Sequence, residues 1–161
     1  MTRALVLTVL GSIAAAACEG EGDAGKVKLS PQEQTILDKT NEARKKEGLT
    51  PLKLNPTLVE IARKQAQAMA KARKLEHDID GAGPEQRFKK AGYKFFTYAE
   101  NIHVSKGLNA KAADRAMKDW LDSKVHHDNL LNKEFAEIGI GMATNDAGET
   151  YFAQDFGRPQ Q

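Results

Sequence analysis

Residues 137–157 read EIGIGMATNDAGETYFAQDFG. In the first half Ile138, Ile140 and Met142 alternate with Gly139, Gly141 and Ala143, the two-residue rhythm of a strand with one face buried. Asn145-Asp146-Ala147-Gly148 follows, a run of residues whose short polar side chains, or lack of one, suit a turn. Glu149 to Phe156 then returns as the hairpin partner.

Upstream of this hairpin the period is helical. Ser30-Pro31-Gln32-Glu33 is a helix start, with Ser30 able to cap the N3 amide, Glu33 able to return the bond and Pro31 at the first helical position. The first helix is expected to run to about Glu47, with Ile36, Leu37, Thr40, Ala43 and Arg44 at helical spacing and Gly48 ending it. Asn55-Pro56 repeats the start, and Leu58, Ile61, Ala62, Gln65, Ala66, Met69 and Ala70 mark the buried stripe of a second helix to about Arg73. Pro84 to Ala91 is a shorter amphipathic piece closed by Gly92, and Tyr93 to Tyr98 is an aromatic run of strand type leading to Glu100. A further helix spans roughly Ala110 to Asp122, and the segment after it, with His126, His127 and Asn129, reads as a loop. Helices first, a strand between helices, then a hairpin predict an α+β fold, a three-layer α-β-α sandwich with a central antiparallel sheet between helices.

The other end of the chain does not belong to that fold. Met1-Thr2-Arg3 is a short basic start, and Ala4 to Ala17 is apolar and small up to Cys18. Residues 1–17 read as a secretory signal peptide, too short in its apolar run for a permanent span of about 20 residues. Ala15, Ala16 and Ala17 before Cys18 resemble a bacterial lipobox, with Ala15 where leucine is commonest. That resemblance implies that Cys18 is lipidated and that the membrane is a partner. The competing reading is an incidental cysteine in an ordinary signal peptide. Cys18 is the chain's one cysteine, so the exported part holds no internal disulfide. Residues 18–29, containing EGEGDAG at 19–25, form an acidic, glycine-rich tether, which leaves 30–158 as the domain. With 161 residues, 40% apolar, the chain has material for one core. Its 24 basic and 22 acidic residues are interspersed, which gives no reason to expect a nucleic-acid partner.

Five segments resemble, in order, the bacterial SCP-like branch of the CAP superfamily of cysteine-rich secretory, antigen 5 and pathogenesis-related proteins. They are Asn41-Glu42-Ala43-Arg44 with Gly48-Leu49-Thr50-Pro51-Leu52; Met69-Ala70 with His77 beyond; Ala99-Glu100-Asn101-Ile102; Trp120-Leu121-Asp122-Ser123 with His126 and Asn129-Leu130-Leu131; and Glu137 to Gly141 with Phe152 to Gly157. The resemblance covers about Pro31 to Gly157. It implies a cleft lined by His77, Glu100 and His126. Ser123 stands where many eukaryotic members carry a fourth, acidic group, and Ala99 stands where glycine is common. Asn101, Ser123 and Asn129 are the supporting residues, and His127 and Glu137 are near enough in sequence to contribute.

Two imidazoles and a carboxylate suit a weakly held divalent ion such as zinc, with water in the open position. Such binding weakens as the imidazoles protonate near their reference pKa of ~6.5. The same three groups equally suit a hydrogen-bonded cluster without metal. Trp120, Phe95, Phe96 and Tyr98 read as core and cleft wall, Asn41 and Arg44 as ties between helix and loops, and His103 as a surface residue. Three functions compete. The first is an exported binding module whose ligand, as the resemblance implies, is a lipid, sterol or protein. The second is a hydrolase with Glu100 or a histidine as general base and Ser123 as a conceivable nucleophile. The third is an envelope protein in which the cleft residues brace the fold.

Overall fold

The computed structural model describes residues 27–79, 81–107 and 109–160. The segment expected to be a signal peptide (residues 1–17), Cys18 and most of the segment expected to be a tether (residues 18–29) lie outside the described residues. Of the tether, residues 27–29 are described, and there the Lys28 carbonyl accepts a hydrogen bond from Arg63 at 2.9 Å.

The order is α1 (Pro31–Lys46), β1 (Lys53–Leu54), α2 (Pro56–Ala72), α3 (Pro84–Lys90), β2 (Phe95–Lys106), a 3-10 turn (Asn109–Lys111), α4 (Ala112–Asp122), α5 (Lys124–Leu130), β3 (Glu137–Thr144) and β4 (Glu149–Pro159). The helix starts behave as their sequences predict. At α1 the Glu33 amide donates to Ser30 Oγ at 3.3 Å while the Ser30 amide donates to Glu33 Oε2 at 2.8 Å. At α2 the Asn55 side chain accepts from the amides of Thr57 and Leu58. Arg63 in turn pairs with the buried Glu33, which holds the Glu33 carboxyl below the ordinary range against the opposing effect of burial.

The sheet order is β1-β3-β4-β2. Three strands are antiparallel as expected, but β1 pairs with β3 in parallel, so the sheet is mixed at that edge. Two residues suffice for this pairing because the connector after α1 already runs alongside Glu137 and Ile138. One face of the sheet carries α1, α4 and α5 over Ile138, Ile140, Phe152 and Phe156. The other carries α2 and α3, over Ile102, Tyr151 and Ala153 and an aromatic group around Phe88 and Tyr93. The three-layer sandwich is therefore the architecture.

Four expectations change. The segment after α4 is a helix, not a loop, and brings His126, His127 and Asn129 onto one short rod. The aromatic strand runs on to Lys106, since the whole of β2 pairs along β4. Phe96 is not cleft wall: the register shifts between Phe95 and Thr97, which turns it outward to 66% exposure under the Arg158 guanidinium. His103 is not a surface residue. Its side chain is 12% exposed, bonded through Nε2 to Asp119 Oδ2 at 2.9 Å and edge-on to Trp120. The ties are as expected: Asn41 exchanges hydrogen bonds with the Leu52 backbone, and buried Arg44 donates to the carbonyls of Thr50, Leu130 and Asn132.

Candidate functional site

The site lies at β2, the strand at one edge of the sheet. Successive residues of a strand point to opposite faces. Glu100 therefore belongs to the α2 and α3 side, with Ile102, and Asn101 and His103 belong to the α4 and α5 side.

The Glu100 side chain is 1% exposed and both of its oxygens are engaged. Oε1 lies 2.7 Å from His77 Nδ1. Oε2 accepts from Arg87 Nη2. A carboxylate only accepts, so a neutral His77 ring carries its proton on Nδ1 and leaves Nε2 as a lone pair on a half-exposed ring. Arg87 reaches in from α3 and also donates from Nη1 to the carbonyls of His77, at 2.8 Å, and Ala82, at 2.5 Å. One guanidinium thus joins Glu100 to the loop that presents His77.

Asp155 sits opposite Glu100 in the register of β2 and β4 and is fully buried. Neither of its carboxyl oxygens has a hydrogen-bond partner. Burial first, then repulsion from Glu100, pushes this carboxyl well above the ordinary range, with Arg87 opposing.

His126 approaches from the other layer. Its Nδ1 is buried without a partner, and burial, followed by repulsion from His77 and His103, holds its pKa below the usual histidine value. Asn101 fixes α5 here, donating to the His126 carbonyl at 3.2 Å and accepting from Asn129 Nδ2 at 2.8 Å. Asn101 also donates to Gln154 Oε1 at 3.2 Å, and Gln154 donates to Thr40 Oγ1 at 2.8 Å, so a buried polar chain runs from α5 over β2 and β4 to α1 along one face of the sheet.

The structure thus joins His77 to Glu100, joins Asn101 to Asn129, and brings His126 in from the opposite face. Ser123 stands at the N-cap of α5, where its side chain makes no capping bond. His127 lines a separate depression between α1 and α4. Glu137 is committed elsewhere, accepting from Tyr93 Oη at 2.8 Å and Asn55 Nδ2 at 2.9 Å. Ala99 does not have a positive φ, so the position needs no glycine for its backbone. Arg87, Asp155 and Gln154 were given no role from sequence. Arg87 was one cation among many on short amphipathic segments, and Asp155 and Gln154 acquire meaning only through the strand register.

Of the two readings left open for the cleft, a weakly held divalent ion or a hydrogen-bonded cluster, the first needs His77, Glu100 and His126 to converge on one point. Among the described residues no group of three or more His, Cys, Asp or Glu side chains is placed to hold an ion. Glu100 has given one oxygen to an imidazole and the other to a cation, and Ser123 supplies no charge. The residues as they stand do not fit a divalent ion.

The cysteine-rich secretory protein family model matches residues 37–156. The uncharacterized protein YkwD of Bacillus subtilis is 32% identical over 131 residues, covering 81% of this chain and 49% of its own length. This chain therefore spans about half of that relative. Among solved structures, an outer surface protein from Borrelia burgdorferi superimposes with a TM-score of 0.74 at 24% identity, covering 84% of this chain and 98% of that one. An extracellular SCP-domain protein from Bacillus anthracis gives 0.70 at 24% identity, covering 83% of this chain and 45% of that one. With the family model spanning both layers and the sheet between them, the chain belongs to the cysteine-rich secretory protein (CAP) family.

Proposed function

We propose that the chain is an exported binding module, held at the cell envelope through lipidated Cys18, that takes its ligand beside the His77/Glu100 cleft. The observation that carries this reading is the engagement of Glu100. A general base needs a lone pair within reach of the proton it abstracts, and both oxygens of Glu100 are already bound, one to a permanent cation. Such a carboxylate orients His77 and is poorly placed to activate water. The half-exposed His77 ring remains available for recognition.

Room for a ligand exists next to the cleft. A cavity of about 730 Å³ opens between α2 and α3, walled by Ile61, Ala68, Ile79 and Ala82, with Lys90, Arg87 and the Lys64–Glu60 ion pair in its lining. An apolar wall with cationic groups suits an amphiphile with an acidic head, which favours a lipid among the lipid, sterol and protein ligands of this reading. Export draws support from the outer-surface and extracellular relatives. Anchoring draws support from the small residues before Cys18, and among the described residues no helix is long and apolar enough to cross a membrane.

The test is a titration of residues 19–161, which keep every described residue, with a fluorescent acyl-chain probe. Saturable binding that Ala68→Phe abolishes is expected. Absence of saturable binding, together with ester turnover that disappears in Glu100→Gln, would replace the binder with a hydrolase. For the anchor, the full chain expressed in a bacterium should partition into detergent and lose that behaviour in Cys18→Ser. Equal partitioning of the two would remove lipidation from the proposal.

A further inference from the structure

We propose that Arg87 is the resident cation of the cleft, standing where a divalent ion would need to bind and keeping the His77/Glu100 pair closed to zinc. The inference is independent of lipidation and of the acyl ligand. It stands on four features of the site.

First, the guanidinium pairs directly with Glu100, the carboxylate among His77, Glu100 and His126. Second, Arg87 is held at three points, by the Glu100 carboxylate and by the carbonyls of His77 and Ala82, so displacing it breaks the loop that carries His77 as well as the ion pair. Third, its side chain is 13% exposed and Glu100 is 1% exposed, so repulsion between the guanidinium and an incoming ion would be weakly screened. Fourth, arginine remains protonated throughout the working pH range and cannot give up its place by losing a proton, as a lysine can. A metal would have to compete for an oxygen that a fixed positive charge already holds.

The exclusion is therefore a property of one side chain on α3, and removing it should open the site. Without Arg87, Glu100 Oε2 is free and its charge lacks a counterion beside the His77 ring. A cation would then be drawn to the position the guanidinium has left. The glutamine replacement keeps polar atoms near the two carbonyls while deleting the charge.

Zinc titrated calorimetrically into metal-stripped residues 19–161 tests this, using wild type, Arg87→Gln, and Arg87→Gln combined with His77→Ala. The expected result is that Arg87→Gln binds zinc at least about tenfold more tightly than wild type, and that the added His77→Ala change removes the gain. Thermal melts by circular dichroism establish that each variant is folded. Wild type binding zinc through His77 as tightly as Arg87→Gln would overturn the proposal, as would a folded Arg87→Gln protein with no gain. Should Arg87→Gln fail to fold, Arg87→Met decides: it keeps an unbranched stem and deletes the charge, so it should gain zinc affinity that His77→Ala removes, and a folded Arg87→Met protein with no gain would overturn the proposal.

Discussion

Asp155 has no exposed surface, no hydrogen-bond partner for either oxygen, and Glu100 opposite it in the neighbouring strand. Its carboxyl is pushed well above the usual range by burial and by that neighbour. A group whose folded pKa is raised gives stability that is fully present below its unfolded pKa of ~3.9 and is lost as pH rises toward the folded value. Replacing Asp155 with asparagine keeps the shape and removes the titration. The stability of Asp155→Asn relative to wild type should therefore grow by about 1.4 kcal/mol for each pH unit climbed inside that window. Urea unfolding of both proteins from about pH 4 to about pH 8 measures this, and a constant difference would show that Asp155 ionises normally. His126 acts in the opposite direction: its lowered pKa contributes stability above ~6.5 that is lost as pH falls, in wild type and variant alike. Glu100 was legible in sequence because it sits in a motif, as were His77 and His126. The partners that decide its chemistry were not legible, because Arg87 reaches it from another element and Asp155 lies 55 residues away, joined only by the pairing of β2 with β4.

The contact between α2 and β3 rests on two glycines. A Cβ on Gly139 would lie 2.1 Å from the backbone carbon of Leu58, and one on Gly141 would lie 2.2 Å from that of Ala62. Neither obstacle is a side chain that can swing away, so α2 itself would have to lift from the sheet. Core overpacking usually costs about 1–3 kcal/mol, occasionally more. Here the clash is with helix backbone, and Gly139→Ala or Gly141→Ala is expected to cost about 4 kcal/mol or more. Gly148→Ala, in the hairpin turn with open space around its Cβ position but a φ of +76°, provides the comparison: its cost is confined to backbone strain of about 1–3 kcal/mol. Urea melts of the three variants should rank Gly148→Ala as the mildest, and an equal ranking would remove close packing as the reason for the strand glycines. The alternation of Ile138 and Ile140 with these glycines made the strand legible and gave its period, while the cause of the glycines appears only once α2 lies across them. Element α5 escaped notice because seven residues make too few turns for a periodic stripe, and β1 because two residues carry no alternation.

β4 holds the molecule together. From Thr150 to Gly157 every residue is buried, with Phe152 and Phe156 in the core beneath α1 and α4 and Tyr151 and Ala153 in the core beneath α2. The strand is paired on both sides, to β3 and to β2, and Gln154 extends the tie by linking Asn101 of β2 to Thr40 of α1. Neither helical layer can leave without exposing one face of that strand to water, and exposed apolar area costs roughly 25 cal/mol per Å². The two layers should therefore unfold as one unit, as single domains of this size usually do. Trp120, the one tryptophan of the chain, reports on the α4 layer alone, being 1% exposed and donating from Nε1 to the Ile102 carbonyl at 3.1 Å. Far-ultraviolet circular dichroism reports on helices of both layers, α2 being the longest of them. Followed through one urea titration, fluorescence and circular dichroism should trace a single midpoint. A helical signal persisting after Trp120 is exposed would mean that α2 and its face of the sheet form a separate folding unit, and that β4 does not couple the layers.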